Sequence, residues 1–163
     1  MTTSSQSAAP QLFCTFRVDG QLFGVDILDV KEVTTETTST RIAHTPSEVL
    51  GLVNIRGHIY LALDLRRLLG MPSTHITAES RLVLFKPNVG SAFGVIVDEI
   101  SEIHTVSPDQ IESYAASKHK ALVTQLRRVD LISAVCKLPD ELLVVLNPRR
   151  FLSIVEQNLA QPV

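Results

Sequence analysis

The sequence predicts a mainly β protein built from two similar units, and three observations support this prediction. Hydrophobic residues make up 45% of the 163 residues, but only 5% are aromatic and tryptophan is absent. Short runs of Val, Ile and Leu must therefore fill the core, which favours strands over long helices. These runs are separated by turn residues. Finally, the phrase FGVDILDVKEV at Phe23 returns as FGVIVDEISEI at Phe93.

The repeat is longer than this phrase. Residues 23–33 align with residues 93–103 at an offset of 70, which we call the short offset. LDLRRLL from Leu63 aligns with LNPRRFL from Leu146 at an offset of 83, which we call the long offset. Two matches in the same order indicate a duplicated unit. The extra residues must lie between them, and ASKHKALVTQLRRVD, with apolar residues at helical spacing, is the obvious place. Each unit would hold roughly five short strands, the size of a small closed barrel.

Local patterns place the elements of the first unit. LFCTFRV alternates as a strand, DGQ reads as a tight hairpin turn, and LFGVDI returns. TTETTST is β-prone but polar, and could be exposed strand or loop. LVNI then reads as a strand, a turn follows at Arg56 and Gly57, and HIYLALDL returns antiparallel. Asp64 is placed to cap a short helix, LRRLLG, and is more plausibly a cap than a catalytic acid.

The second unit follows the same plan. RLVLFKP is a strand, NVGS a turn and FGVIVDEISEI the returning strand. SPDQI has the pattern of a helix start, with Ser107 as the cap and Pro108 at the first helical position. ELLVVLN is a further strand and PRRFLSIVEQNL a terminal helix. We expect a disordered leader over residues 1–10, one domain over 11–152, and a C-terminal helix or tail over 153–163.

Composition and motifs exclude several classes of function. The net charge of −2 gives no basic patch for nucleic acid. No apolar run approaches the roughly 20 residues of a membrane span, and the N-terminus lacks the regions of a secretory signal. We therefore expect a soluble, cytoplasmic protein in which Cys14 and Cys136 are buried thiols.

Neither a metal site nor an enzyme active site is indicated. The histidines pair with no other histidine or cysteine at ligand spacing. The chain also has no Gly-x-Ser-x-Gly motif and no glycine-rich phosphate loop. We expect no catalytic residues, no metal and no cofactor. The five histidines are His44, His58, His75, His104 and His119.

The run GLVNIRGHIYLALDLRRLLG, which begins at Gly51, resembles the signature of the CheW family of chemotaxis adaptors. FGVDILDVKEV, RIAHTP and FGVIVDEI also match, so the resemblance covers residues 12–152. Four fragments in order, at near-constant spacing, are specific. The resemblance implies two pseudo-symmetric, five-stranded SH3-like β-barrels around a hydrophobic cleft, with short connecting and C-terminal helices. The first barrel would take about residues 22–90 and the second the remainder, with strand exchange between them allowed.

The resemblance also implies a non-enzymatic adaptor that bridges the cytoplasmic tips of chemoreceptors to a CheA-type histidine kinase in an array under the membrane. Such a protein would be monomeric when free. An adaptor of a related pathway, such as pilus motility or biofilm control, remains an alternative. From other classes, a small-ligand-binding β-barrel or an enzyme that uses the cleft remains open. Two departures from the family are Leu61, where proline is usual, and the longer, more helical segment of about residues 114–128.

The resemblance points to six residues. Glu32 and Arg56 match positions associated with receptor coupling, although a surface ion pair would explain them equally well. The valines that flank Glu32 could line the cleft or belong to the core, and by alternation the first of them would share the glutamate's face. Glycines 51 and 57 are expected to be conformational, supplying positive φ or a close approach. The partner-binding candidates are Val30, Glu32, Val33 and Arg56, and the structural glycines are Gly51 and Gly57.

Overall fold

The computed structural model describes residues 9–116 and 129–160, which contain twelve strands and two α-helices. The strands are β1 (Gln11–Val18), β2 (Gln21–Asp26), β3 (Val30–Thr34), β4 (Val49–Ile55), β5 (His58–Asp64), β6 (Arg81–Phe85), β7 (Phe93–Val97), β8 (Glu99–Ile100), β9 (His104–Val106), β10 (Ile111–Ser113), β11 (Ile132–Lys137) and β12 (Leu142–Leu146). The helices are α1 (Leu65–Leu68) and α2 (Phe151–Ala160). In the described ranges no helix is long and apolar enough to cross a membrane.

Three of the predicted segments lie wholly or partly outside the described residues. These are the leader over residues 1–10, of which only the last two are described, residues 117–128 of the longer segment that was predicted to be helical, and the end of the C-terminal tail at 161–163. The predicted terminal helix is confirmed as α2.

The strands form two sheets with the same internal order. One sheet runs β3-β6-β7-β5-β4, and the other runs β8-β1-β2-β12-β11-β10, with β9 also paired to β1. Each sheet combines a hairpin from one repeat with the later strands of the other repeat. The five-stranded sheet thus takes residues 30–97, and the seven-stranded sheet takes residues 11–26 and 99–146. The prediction of a mainly β fold made of two similar units is confirmed.

The pairing register reproduces the offsets of the sequence repeat. In the parallel ladder of the five-stranded sheet, Leu61 pairs with Phe93. In the parallel ladder of the other sheet, Val144 pairs with Phe23. The long offset leads from Leu61 to Val144, and the short offset leads from Phe23 to Phe93, as in the aligned phrases. The two copies of FGV are therefore both hairpin return strands that also join the two repeats.

A β-bulge is repeated as well. The register shifts between Val49 and Gly51 in β4, and it shifts again between Ile132 and Ala134 in β11, which lie at the long offset from the first two. A bulge increases the local twist of a strand and bends it. Both units thus bend the corresponding strand at the corresponding place.

Local signals explain the turns and caps. Asp19 and Gly20 have φ of 53° and 79°, as the predicted two-residue hairpin turn requires. The Asp64 carboxylate accepts a 3.0 Å hydrogen bond from the Arg66 amide, which confirms the predicted cap of α1. In the second unit Asn147, at the long offset from Asp64, accepts from the Arg149 amide at 3.1 Å.

The helix start predicted from SPDQI is confirmed, but only as a single 3-10 turn. A 3-10 turn at Pro108–Gln110 begins as the capping pattern indicates, but the chain then enters β10. Ile111 pairs with Cys136 in β11, and this pairing continues through Ser113. Pairing with β11 therefore ends the helix after a single turn, although the local signal favours a longer one.

The core has three parts. A central cluster joins residues of both sheets, and it includes five phenylalanines that are at most 1% exposed. The Phe85 ring lies 5.1 Å from the Phe93 ring and 5.9 Å from the Phe151 ring, between ring centroids. Two smaller apolar clusters lie within the individual sheets. The region between the sheets is thus packed with side chains.

Both cysteines are buried thiols, as predicted. Cys14 belongs to the central cluster, and Cys136 belongs to the cluster within the seven-stranded sheet. Burial raises the pKa of each thiol to about 11, because the apolar surroundings disfavour the thiolate. Neither thiol is therefore a reactive nucleophile at neutral pH.

Candidate partner-binding surface

Strand β3 and the turn between β4 and β5 bring Glu32 and Arg56 together. An Nη atom of Arg56 donates a hydrogen bond to a carboxylate oxygen of Glu32, across 24 positions of sequence. The Arg56 side chain is 69% exposed and that of Glu32 is 26% exposed. Exposed pairs of this kind contribute little to stability, about 0–1 kcal/mol. The pair is nevertheless a fixed charged feature on the surface of the first unit.

The turn that presents Arg56 is held by its own residues. Arg56 and Gly57 have φ of 51° and 88°, which is the left-handed conformation of a two-residue hairpin turn. The Asn54 side chain accepts a 2.8 Å hydrogen bond from the Gly57 amide. Arg56 and Gly57 are candidates from the sequence, whereas Asn54 appears there only within the matching run GLVNIRG, although an Asn shortly before a glycine turn is a recognisable signal.

The two candidate valines differ in exposure. Val30 is partly buried and packs against the central cluster, whereas Val33 is 37% exposed. The alternation argument does not apply between Val30 and Glu32, because the register shifts there: Val30 pairs with Phe85, and Glu32 pairs with its neighbour Leu84. Of the two valines, Val33 is thus the one more accessible to a partner.

Gly51 lies at the bulge of β4. It has φ of 145°, and a Cβ built there would lie 2.2 Å from the carbonyl oxygen of Thr40. Thr40 and Leu52 exchange backbone hydrogen bonds of 2.8 Å, which attach the loop before β4 to its edge. Only a residue without a side chain fits this approach.

Lys31 lies next to Glu32 in β3, and its contact with Tyr60 was not predicted from the sequence. Its Nζ donates a 2.8 Å hydrogen bond to the Tyr60 hydroxyl and lies 5.4 Å from the centroid of the ring. This contact attaches β3 to β5, which are not adjacent in the sheet. No local pattern indicates it, since the two residues are 29 positions apart.

The second unit has a related but different surface. Ile100, Glu102 and Ile103 lie at the short offset from Val30, Glu32 and Val33. Ile100 is 37% exposed and Ile103 is 56% exposed. The position at the long offset from Arg56 is a proline, and Glu102 forms no ion pair within residues 9–116 and 129–160. The two units therefore present similar apolar residues but different charges.

An ion pair links the two sheets near the start of α1. Arg66 donates to Asp98 from Nε at 3.0 Å and from Nη2 at 2.6 Å, and the Asp19 amide donates to the same carboxylate at 2.8 Å. Burial acts to raise the pKa of Asp98, but the Arg66 and Asp19 hydrogen bonds together outweigh burial and hold that pKa below its usual value. Arg149, at the long offset from Arg66, donates one hydrogen bond of 3.1 Å to Asp29, so this pair joins the two units through a single contact.

The candidate metal and acid groups considered from the sequence can be checked in the part of the chain that the structure describes. No three His, Cys, Asp or Glu side chains there form a group that could hold a metal ion. Asp64, the carboxylate considered at the sequence level, is bonded to the Arg66 amide and to Ser73 Oγ. Around Glu32 and Arg56 the structure places an exposed ion pair and the exposed side chain of Val33.

Comparison with known proteins gives consistent results. The family model of the CheW-like domain matches residues 12–156. The chain is 38% identical to the chemotaxis protein CheW of Rhizobium meliloti over 98 residues, which are 60% of this chain and 62% of that relative. It is 30% identical to the protein FrzA of Myxococcus xanthus over 128 residues, 75% of this chain and 79% of FrzA.

A solved structure is also similar. The crystal structure of the scaffolding protein TtCheW from Thermoanaerobacter tengcongensis superposes with a TM-score of 0.72 at 25% sequence identity. The superposition covers 84% of this chain and 88% of TtCheW. With a family model that covers most of its length and a shared fold, this chain belongs to the CheW-like domain family.

Proposed function

We propose that this chain is a non-enzymatic adaptor that couples chemoreceptor tips to a CheA-type histidine kinase in a cytoplasmic chemosensory array. Membership of the CheW-like family supports this, as do a relative named as a chemotaxis protein and a similar structure described as a scaffolding protein. The observation on which the proposal chiefly rests is the exposed Glu32–Arg56 pair on a turn fixed by its own backbone.

The physical case concerns what Arg56 can offer a partner. A guanidinium fork binds a carboxylate or backbone carbonyls with two parallel hydrogen bonds, and here it is already oriented by the turn and by Glu32. The neighbouring Val33 adds exposed apolar area. An amphipathic receptor helix could pack against that area while Arg56 contacts its polar face.

An adaptor that bridges proteins also needs surfaces that differ. The first unit pairs Glu32 with Arg56, whereas Glu102 in the second unit lacks an arginine at the related position. We propose that the ends of the two units dock on different kinase molecules, and that the rim between them, with Val33 and Ile103, meets the receptor. A crosslinking map with all contacts on one unit would contradict this division.

A second candidate is an adaptor of a related chemosensory-like pathway. The similarity to FrzA, over 79% of that protein, supports this candidate, because FrzA is a relative that is not named as a CheW protein. Both candidates use the same surfaces. They differ only in which kinase and which receptor the chain retains.

A reconstituted binding experiment tests the proposal. The full chain is immobilised and incubated with a purified CheA-type kinase and with a coiled-coil receptor tip fragment. We expect both to be retained, and we expect Arg56→Ala to weaken receptor retention at least tenfold while the variant stays folded. Arg150→Ala, at another exposed arginine, is the matched control and should bind as the unchanged chain does.

Two results would contradict the proposal. A folded Arg56→Ala variant with normal receptor binding would remove Arg56 from the contact surface. Retention of neither partner, together with tight binding of a small molecule, would favour the alternative of a ligand-binding β protein.

A further inference from the structure

A polar cavity of about 490 Å³ lies between the loop before β4 and the residues after α1. Its volume is within the range of small-molecule sites, roughly 300–1,000 Å³. Two arginines, a histidine and four hydroxyl side chains contribute to the wall, and no carboxylate does. The polar lining residues are Ser39, Arg41, His44, Thr45, Ser47, Arg67 and Ser73.

Arg67 is held in place by a short relay. Its Nε donates to Ser73 Oγ at 2.8 Å, and Ser73 Oγ donates in turn to the Asp64 carboxylate at 2.6 Å. Arg67 forms no ion pair within the described residues, so its terminal nitrogens keep their donors. A guanidinium oriented through Nε with both Nη groups unused is prepared for a bidentate oxyanion contact.

The rest of the wall adds donors. Arg41 is exposed and, in the same described ranges, has neither an ion pair nor a side-chain hydrogen bond. The hydroxyls of Ser39 and Thr45 already donate to carbonyl oxygens, at 3.4 and 3.0 Å. The groups left to bind a ligand are therefore the two arginines, with Ser47 and His44 beside them.

The nearby carboxylates do not compete strongly for these arginines. Asp64 is bonded to Ser73 and to the Arg66 amide. Glu48 is buried and accepts a 3.0 Å hydrogen bond from Asn158 in α2, on the side of an adjoining cavity. In the described residues, neither arginine of the wall is bonded to a carboxylate, and the Asp64 carboxylate reaches Arg67 only through Ser73.

The second unit lacks this arrangement, so the arrangement is not part of the duplicated framework. Arg150 lies at the long offset from Arg67, and Asn147 takes the place of Asp64. Asn147 caps the turn at Pro148–Arg150, but the Arg150 side chain has no hydrogen bond corresponding to that of Arg67 with Ser73 in the described ranges. The framework does not require the Asp64–Ser73–Arg67 relay, so its presence in one unit calls for its own explanation.

We propose that the cavity binds a small phosphate ester, whose phosphate dianion is contacted by Arg67 and Arg41. Arginine is the residue best suited to bidentate phosphate recognition. The cavity is many times larger than the roughly 30 Å³ share of a water molecule, which leaves room for an organic group beyond the phosphate. This site is separate from the Glu32–Arg56 surface and does not depend on the proposed adaptor function.

Nuclear magnetic resonance titrations of the full chain test the site at constant ionic strength. The probes are inorganic phosphate, glycerol phosphate and adenosine monophosphate. We expect saturable amide shifts confined to the loop at residues 39–47 and to Ser73, with an ester bound at least tenfold more tightly than inorganic phosphate. Equal affinity for inorganic phosphate would overturn the ester assignment, and shifts that do not saturate would overturn the site.

Variants identify the groups responsible. Arg67→Ala combined with Arg41→Ala should lower the affinity at least tenfold, whereas Arg150→Ala, at the related position in the second unit, should leave it unchanged. Ser73→Ala keeps both charges but removes the oxygen that orients Arg67, and should lower affinity by a smaller factor. An equal loss in Arg150→Ala, or displacement of the phosphate by an acidic peptide at similar concentration, would overturn the proposal.

Discussion

The two units of this chain share their backbone pairing but not their side-chain contacts. Parallel ladders, a bulge and a capped turn recur at the short and long offsets of the repeat. The Glu32–Arg56 pair and the Arg67–Ser73 relay, by contrast, occur in the first unit, and their related positions in the second unit do not reproduce them. Hydrogen-bond ladders constrain every strand of a duplicated sheet, whereas surface side chains are free to diverge. The differences between the copies are therefore the better guide to function.

The bulge gives the largest expected difference between the copies. Gly51→Ala should lower the free energy of unfolding by about 4 kcal/mol, because a Cβ there would collide with the Thr40 carbonyl at a φ that side chains rarely adopt. Ala134→Gly, at the related position of β11, should cost only about 1 kcal/mol, through lost packing and added chain entropy. Chemical denaturation of both variants measures the two values.

The comparison has an internal control. Gly57 also has positive φ, but a Cβ there meets no atom within 4 Å, so Gly57→Ala should cost about 1 kcal/mol of backbone strain. If Gly51→Ala were no more destabilising than Gly57→Ala, the close approach of Thr40 to β4 would be wrong.

The next largest difference in stability is expected between the ion pairs of Arg66 and Arg149. Arg66→Ala should destabilise the fold by about 2 kcal/mol, since it removes two hydrogen bonds to Asp98 from a side chain that is only 17% exposed. Arg149→Ala should cost less than about 1 kcal/mol, because Arg149 is 48% exposed and makes one bond to Asp29. Equal values in thermal or chemical denaturation would show that the two pairs are equivalent despite their geometry.

These contacts also show what a sequence can and cannot predict. The Asp19–Gly20 turn, the Asp64 cap and the repeat offsets follow from neighbouring residues or from self-alignment, and the structure confirms them. The Arg66–Asp98 pair joins residues 32 positions apart on different elements, and the Lys31–Tyr60 contact is similarly distant. Neither has a local pattern, because side-chain pairing across a sheet depends on strand order.

At SPDQI the local signal is correct, but tertiary pairing limits how far the helix extends. The capping signal at Ser107 is real, and the 3-10 turn at Pro108–Gln110 obeys it. The outcome is decided by β11, which supplies a pairing edge for Ile111. The candidate residues divide similarly: Glu32 and Arg56 were proposed from family resemblance, whereas the Arg67–Ser73 hydrogen bond could be found only in the three-dimensional arrangement.

Asp98 makes the stability of the fold depend on pH. Its pKa is lower in the folded chain than the usual value of about 3.9, so its contribution is present above that value and is lost as the pH falls through the folded pKa. Asp98→Asn should cost about 1 kcal/mol at pH 7, after allowance for a side chain that is 29% exposed. The cost should shrink below about pH 4, as measured by denaturation across pH; a cost that is constant with pH would contradict the shift.

The smallest expected effect on stability belongs to the Glu32–Arg56 pair. Arg56→Ala should change the free energy of unfolding by no more than about 0.5 kcal/mol, since the guanidinium is 69% exposed and the turn is fixed by Asn54 and Gly57. A double-mutant cycle with Glu32→Ala should give a coupling energy below about 1 kcal/mol, falling further in high salt. A coupling of several kcal/mol would make the pair a structural feature. A small one would agree with the proposal that Arg56 serves partner binding and not the stability of the fold.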